Sequence, residues 1–267
     1  MAGSEDAGWD PDRYLEFGDE RARPFADLLA RVDARRPRTV VDLGCGPGQL
    51  TRTLPQRWPE AHVLGVDSSP EMIARASAYA GPRLEFRLGD LATWEPAAPV
   101  DVVVSNAALQ WVPDHREVLP RLVAALAPGG WLAFQVPGNF EAPSHVLLRD
   151  LAEQAPYVRF TSGVRHPASA EPQDYLDDLA SHGCRVDAWE TTYVHVLSGP
   201  DPVFRWVSGT GARPVLQSLP EPLRGQFEQT YQQRLREAYP ERPWGTALAF
   251  RRIFVVAQLA TGSRLAG

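Results

Sequence analysis

The chain has 267 residues, 44% of them hydrophobic and 22% charged, an ordinary balance for one sizeable globular domain. Its net charge of −6 and pI near 5.6 argue against nucleic acid as the main partner, because phosphate binding needs a concentrated basic surface. No apolar run is long enough to span a bilayer, and two cysteines are too few for a disulfide framework or a zinc centre.

The N-terminal MAGSEDAGWDPD is acidic and lacks the apolar core of a signal peptide, so a cytoplasmic protein is expected. TVVDL (39–43) reads as a short buried strand, followed by the glycine loop GCGPG and a helix start in QLTRTL. HVLGVD is the second strand, ending in Asp67. SSPEMIARASAYA reads as a helix with Ser69 as N-cap and Pro70 in its first position. LEFRL is a third strand closed by Gly89 and Asp90, and VDVVVSNA a fourth. REVLPRLVAALAPGG predicts a helix with a glycine stop, and WLAFQVP a fifth strand. Helices are expected in SHVLLRDLAEQAP and PQDYLDDLASHG, then a long alternating strand in CRVDAWETTYVHVL. Residues 199–248 are rich in proline and glycine, with one helical stretch at EPLRGQFEQTYQQRLREAYP, and FRRIFVVAQLA closes as a last strand. Strands alternating with helices predict a parallel, right-handed α/β sheet covered on both faces.

The loop decides between ligands. A strand, a glycine turn and a helix direct backbone N–H groups toward a bound molecule. The dinucleotide spacing G-x-G-x-x-G fails in both registers, because Gln49 and Thr51 stand where the third glycine belongs. The actual pattern is D-x-G-x-G-x-G, with Asp42 ahead of Gly44, Gly46 and Gly48. An acid at the strand end suits an ammonium group and repels a pyrophosphate. Asp67 stands where a carboxylate can accept from both hydroxyls of a ribose, and Asp90 lies one strand further along the same edge. A nucleoside carrying an amino acid and no phosphate satisfies all three acids. S-adenosyl-L-methionine has that constitution.

DLGCGPG, VDSSPEM, GDL, SNAALQW and LAPGGWLAFQVPGN resemble, in order and spacing, the successive motifs of class I S-adenosylmethionine-dependent methyltransferases. The resemblance implies a Rossmann-like sheet of seven strands, the last antiparallel, with helices on both faces and a helical cap over the acceptor site. It also implies cofactor-binding roles for Asp42, Gly44, Gly46, Gly48, Asp67, Ser68, Asp90, Leu91 and Asn106. The glycines would admit the methionine portion, Asp67 the ribose, Asp90 and Leu91 the adenine, and Asn106 would end the fourth strand beside the sulfonium. The segments WDPDRYLEFGDERARPF, SNAALQWVPDH, VPGNFEAPSH, CRVDAWETTYVHVLSG and FRRIF are similar to the trans-aconitate 2-methyltransferase family over nearly the whole chain. That resemblance implies methyl-ester formation on a small polycarboxylate. The alternative is another acceptor, such as a malonyl carrier protein or a natural-product intermediate. On this reading the chain is one domain: a lid at 1–36, a cofactor core at 37–136, and the rest of the sheet at 137–267 with an acceptor-side insertion at about 199–248.

An ionised carboxylate needs no general base to attack a sulfonium methyl, so no catalytic dyad and no metal are expected. The acceptor's other carboxylates need cations, and arginine offers a planar bidentate fork. The chain contains no lysine, so all 27 basic residues are arginine. This excludes Schiff-base chemistry, and it also means that any one arginine is as readily a solvated surface group. The candidate acceptor-binding residues are Arg21, Arg23, Trp111, His145, Tyr193, Arg213 and Arg252.

Overall fold

The computed structural model describes residues 18–262, with side chains described from residue 22. The expected lid residues before Gly18 and the side chain of Arg21 therefore lie outside the described residues.

Helix α1 (Gly18–Ala30) precedes β1 (Thr39–Leu43), and the glycine loop runs through a short 3-10 turn into α2 (Leu54–Arg57). Strand β2 (His62–Asp67) leads to α3 (Pro70–Ala76), whose N-cap Ser69 accepts a hydrogen bond from Met72 N at 3.3 Å. Then follow β3 (Leu84–Leu88), β4 (Val100–Asn106), α4 (Leu119–Ala124) and β5 (Leu126–Pro137). The second half contains α5 (Pro143–Ala152), α6 (Val158–Thr161), α7 (Pro172–Ser181), β6 (Cys184–Leu197), α8 (Pro202–Ser208), α9 (Arg213–Ser218), α10 (Leu223–Ala238) and β7 (Thr246–Leu259).

The strands form one seven-stranded sheet in the order β3-β2-β1-β4-β5-β7-β6. The β1–β2, β2–β3, β1–β4 and β4–β5 pairs are parallel, and β7 runs antiparallel to β5. This is the class I methyltransferase sheet. The order reverses direction at β1, where β2 lies on one side and β4 on the other, and open α/β sheets bind ligands at such a point.

Two compact units divide the chain, and its crossings between them include one inside β6 (Thr191/Thr192) and one inside β7 (Arg251/Arg252). The sheet unit comprises, among the described residues, 19–138, 169–191 and 252–262. One face of its strands presents Val41, Leu43, Val103, Leu132, Phe134 and Val136 to Leu119, Leu122, Tyr175 and Leu179 of α4 and α7. Tyr175 meets the Phe134 ring edge-on at 5.2 Å, and its hydroxyl lies 2.6 Å from His115 Nε2. The helical unit, residues 139–168 and 192–251 in its described part, has its own core. There Trp206, Phe227, Tyr231 and Leu235 pack with Leu148 and Leu151. Truncating a fully enclosed leucine such as Leu122 to alanine costs about 2–5 kcal/mol.

Three local features differ from the sequence expectation. The APGG segment does not stop a helix. It belongs to β5, which begins at Leu126 and shifts register against β4 between Val100 and Val102. Gly129 (φ 79°) lies within that shift, and a Cβ on Gly130 would stand 2.8 Å from Ala127 O. The helix before it is correspondingly shorter, with a 3-10 turn at His115–Val118 leading into α4. Residues 199–248 hold three helices instead of one, because α8 and α9 are only one or two turns long between glycines and prolines.

Candidate active site

The glycine loop leaves β1 at the carboxyl edge of the sheet and is fastened by β2. Gly44 N and Cys45 N both donate to Val66 O, at 2.8 and 3.0 Å. Gly46 N donates to Asp67 Oδ2 and Ser69 N to Asp67 Oδ1, each at 2.9 Å, so one carboxylate holds the loop and the start of α3 together. All three loop glycines have positive φ: 77°, 55° and 82°. They do different things. A Cβ on Gly44 would lie 2.2 Å from Ala108 Cβ, and one on Gly48 would lie 3.0 Å from both Ala76 Cβ and Phe86 Cζ. A Cβ on Gly46 meets nothing within 4 Å. Gly44 and Gly48 permit close packing of the loop, and Gly46 alone faces open space.

Asp42 lies beneath the loop and is 3% exposed. Its Oδ2 accepts from Thr51 Oγ1 at 2.7 Å. Burial pushes its pKa up to about 7, against the lowering effect of the Thr51 hydroxyl and with a further rise from the charge of Asp67. A buried acid that costs this much to ionise is suited to a cationic partner. The Cys45 thiol beside it is also pushed up by burial, so it carries no thiolate.

Strand register lines up a row of polar groups. Asp42 stands opposite Val104 on β4, Asn106 opposite Gln135 on β5, Gln135 opposite Phe254 on β7, and Arg252 opposite Pro137. Positions in register, or two apart, share a face of the sheet. Asp42, Asn106, Gln135 and Arg252 therefore share one face near the carboxyl ends of β1, β4 and β5. The row has an acid at one end and a guanidinium at the other, across about 14 Å if each strand step is about 4.8 Å. Arg252 is 5% exposed and donates through Nη1 to Gln135 Oε1 at 3.3 Å. Two buried atoms of the row, Asn106 Oδ1 and Gln135 Nε2, have no hydrogen-bond partner among the described residues. Each such unmet group costs about 1–3 kcal/mol.

The remaining candidates distribute as follows. Ser68 and Asp90 are exposed at the ends of β2 and β3, and Asp90 Oδ1 accepts from Ala92 N at 2.8 Å. Leu91 is buried in the core of the sheet unit. Trp111 is 36% exposed in the 3-10 turn after β4. Arg23 is exposed on α1. His145, Tyr193 and Arg213 belong to the helical unit. His145 stands edge-on to Phe140 at 5.3 Å, and its Cε1 would lie 2.7 Å from a Cβ on Gly211. Burial, then the charges of Arg149 and His166, hold its pKa down at about 4, so it is neutral at physiological pH. Tyr193 is buried in a stack with His195, which itself lies 4.7 Å from the Trp206 ring. Arg213 opens α9. Sequence reasoning passed over Thr51 and Gln135. Gln135 had a signal, a lone amide in the otherwise apolar WLAFQVP.

The open space at Gly46, the buried acid under the loop and the unpaired acceptor on Asn106 fit an ammonium-bearing nucleoside such as S-adenosylmethionine. Residues 40–130 match the family model described as a methyltransferase domain. Among solved structures, an S-adenosylmethionine-dependent methyltransferase from Mesorhizobium loti shares the fold at 22% identity (TM-score 0.51), over 90% of this chain and 99% of that one. The YcgJ protein of Bacillus subtilis does so at 13% identity (TM-score 0.59), over 90% and 99%. Curated relatives are far more similar. The trans-aconitate 2-methyltransferase of Streptomyces avermitilis is 53% identical over 93% of this chain and 96% of its own length. That of Rhodococcus jostii is 52% identical over 94% and 99%, and that of Mycobacterium tuberculosis 48% over 97% and 100%. The chain belongs to the trans-aconitate 2-methyltransferase family of class I methyltransferases.

Proposed function

We propose that this protein is an S-adenosylmethionine-dependent O-methyltransferase that forms a methyl ester on one carboxylate of trans-aconitate. The observation that carries this reading is identity of 48–53% over 93–97% of the chain to relatives bearing that name. The polar row supports it independently, because its two ends differ in charge as the two reactants do. S-adenosylmethionine, when bound, supplies a sulfonium methyl that an ionised carboxylate oxygen can take in line. Asp42 would face the ammonium group, Gly46 the methionine backbone, and Asp67, Asp90 and Ser68 the nucleoside. Arg252, at the far end, would hold a carboxylate of the acceptor. No residue needs to remove a proton, since a carboxylic acid with a pKa near 4 is already ionised. The chain's contribution is orientation and the exclusion of water.

The deciding experiment incubates the protein and S-adenosylmethionine with trans-aconitate, cis-aconitate, citrate, isocitrate and a malonyl carrier protein, and identifies products by mass. A monomethyl ester of trans-aconitate, formed with saturation kinetics and preferred over the other acids, is expected. Methylation of the carrier protein with trans-aconitate left intact would overturn this reading.

A further inference from the structure

Gln135 is fully buried in β5, in a strand where every neighbouring side chain is apolar. Its amide cannot rotate freely between roles. Arg252 has donors only, so the Gln135 oxygen must face it, and the contact is 3.3 Å. The Nε2 group is thereby turned away from Arg252, and it has no acceptor among the described residues. The Gln135 amide and the Arg252 guanidinium are thus joined on one face of the sheet, near the carboxyl end of β5, with the amide N–H group still to be met. An amide N–H group left without an acceptor, on the side chain that a guanidinium contacts, is complementary to an anion with several lone pairs, and a carboxylate is the planar case.

We propose that Gln135 is an acceptor-binding residue whose Nε2 donates to the same substrate carboxylate that Arg252 binds. This rests on the reading of the protein as a polycarboxylate methyltransferase. The carboxylate held here is one that does not react, because its oxygens are engaged by donors. It anchors the acid so that another carboxylate is presented for methylation. Selection of acids with more than one carboxylate follows from this, since a monoacid cannot both anchor and react. A competing use of the same amide exists within the row. Asn106 Oδ1 is an unpaired acceptor on the adjacent strand, and a bond between the two amides would make Gln135 structural.

Gln135→Glu and Gln135→Met separate the two roles. Glutamate keeps an acceptor for Arg252 and strengthens that contact, while it places a negative oxygen where the donor stood. Methionine keeps the volume and removes both polar atoms. Calorimetry would follow trans-aconitate binding to the enzyme loaded with S-adenosylhomocysteine, and separately the binding of S-adenosylhomocysteine. The expected result is a loss of trans-aconitate affinity of about 10-fold for the methionine variant and 100-fold or more for the glutamate variant, with S-adenosylhomocysteine affinity within 2-fold of wild type. Glutamate binding the acid as well as wild type, or both ligands weakening together, would overturn the proposal. If the wild type binds trans-aconitate with this variant order yet does not methylate it, the anchoring role stands and the activity reading falls. If the wild type binds no polycarboxylate, both fall.

Discussion

Around the glycine loop, the contacts that shape the site are made largely by backbone. Gly44, Cys45, Gly46 and Ser69 contribute N–H groups, and Val66 O and the Asp67 carboxylate receive them. In the helical unit the candidates come from separate elements, with His145 on α5, Tyr193 on β6 and Arg213 on α9, and aromatic side chains set the local geometry. A site built from backbone constrains φ and spacing within a few consecutive residues. A site built from side chains constrains only where distant elements meet.

The loop glycines give the largest expected effects. Gly44→Ala forces a methyl to within 2.2 Å of Ala108 Cβ at a φ of 77°. Overpacking and the left-handed conformation together should cost about 2–5 kcal/mol and abolish S-adenosylhomocysteine binding. Gly46→Ala meets open space, so its stability cost should be only about 1 kcal/mol, the strain of a left-handed alanine. Its affinity for S-adenosylhomocysteine should nevertheless fall at least 10-fold. Thermal melts and calorimetry on both variants test the division. Normal ligand binding by Gly46→Ala would remove the cofactor from the place assigned to it.

Asp42 gives the next effect, and its sign is definite. The carboxyl's pKa is raised to about 7 in the folded protein, against about 4 in the unfolded chain. Between those values the native state holds a proton that the unfolded state has released, so stability of the free enzyme falls as pH rises from about 4 to about 7 and then levels. A cationic ligand beside Asp42 favours the ionised form and must displace that proton. Affinity for S-adenosylhomocysteine should therefore rise from pH 5.5 to 7.5 and flatten above. Asp42→Asn should bind about 10-fold more weakly at pH 7.5 and show no rise across that range. An unchanged pH profile in the variant would place the ammonium elsewhere.

These tests follow what was legible in the sequence. The order of the first five strands, the loop and the acids at the ends of β1 and β2 could be read directly, because each is set by residues adjacent in the chain. The Gly129–Gly130 pair is ambiguous in the sequence because two glycines serve a helix stop and a strand bulge equally well, and the pairing of Leu126 with Val100 distinguishes them. Helices α8 and α9 were hidden because six or seven residues show too little periodicity between prolines and glycines. The partnership of Gln135 with Arg252 spans 117 residues and depends on the antiparallel β5–β7 register, which no local pattern encodes.

The smallest effect belongs to His145, and it concerns charge. A histidine offered to a polycarboxylate invites the assumption of a cation. Burial and the neighbouring Arg149 and His166 instead hold its pKa at about 4, below the unfolded value near 6.5. Between those values the unfolded chain binds a proton that the native state lacks, so this group makes stability rise with pH through that window and contributes no slope above it. His145→Phe keeps a ring against Phe140 and removes the titration. Its melting temperature relative to wild type should thus be more favourable at pH 5 than at pH 7.5, by a few degrees. The KM for trans-aconitate should keep the wild-type dependence on pH between 6.5 and 8. A wild-type KM that climbs through that range, and a variant in which the climb is lost, would make His145 a charged anchor. The acceptor's anchor would then be reassigned from Arg252 to His145.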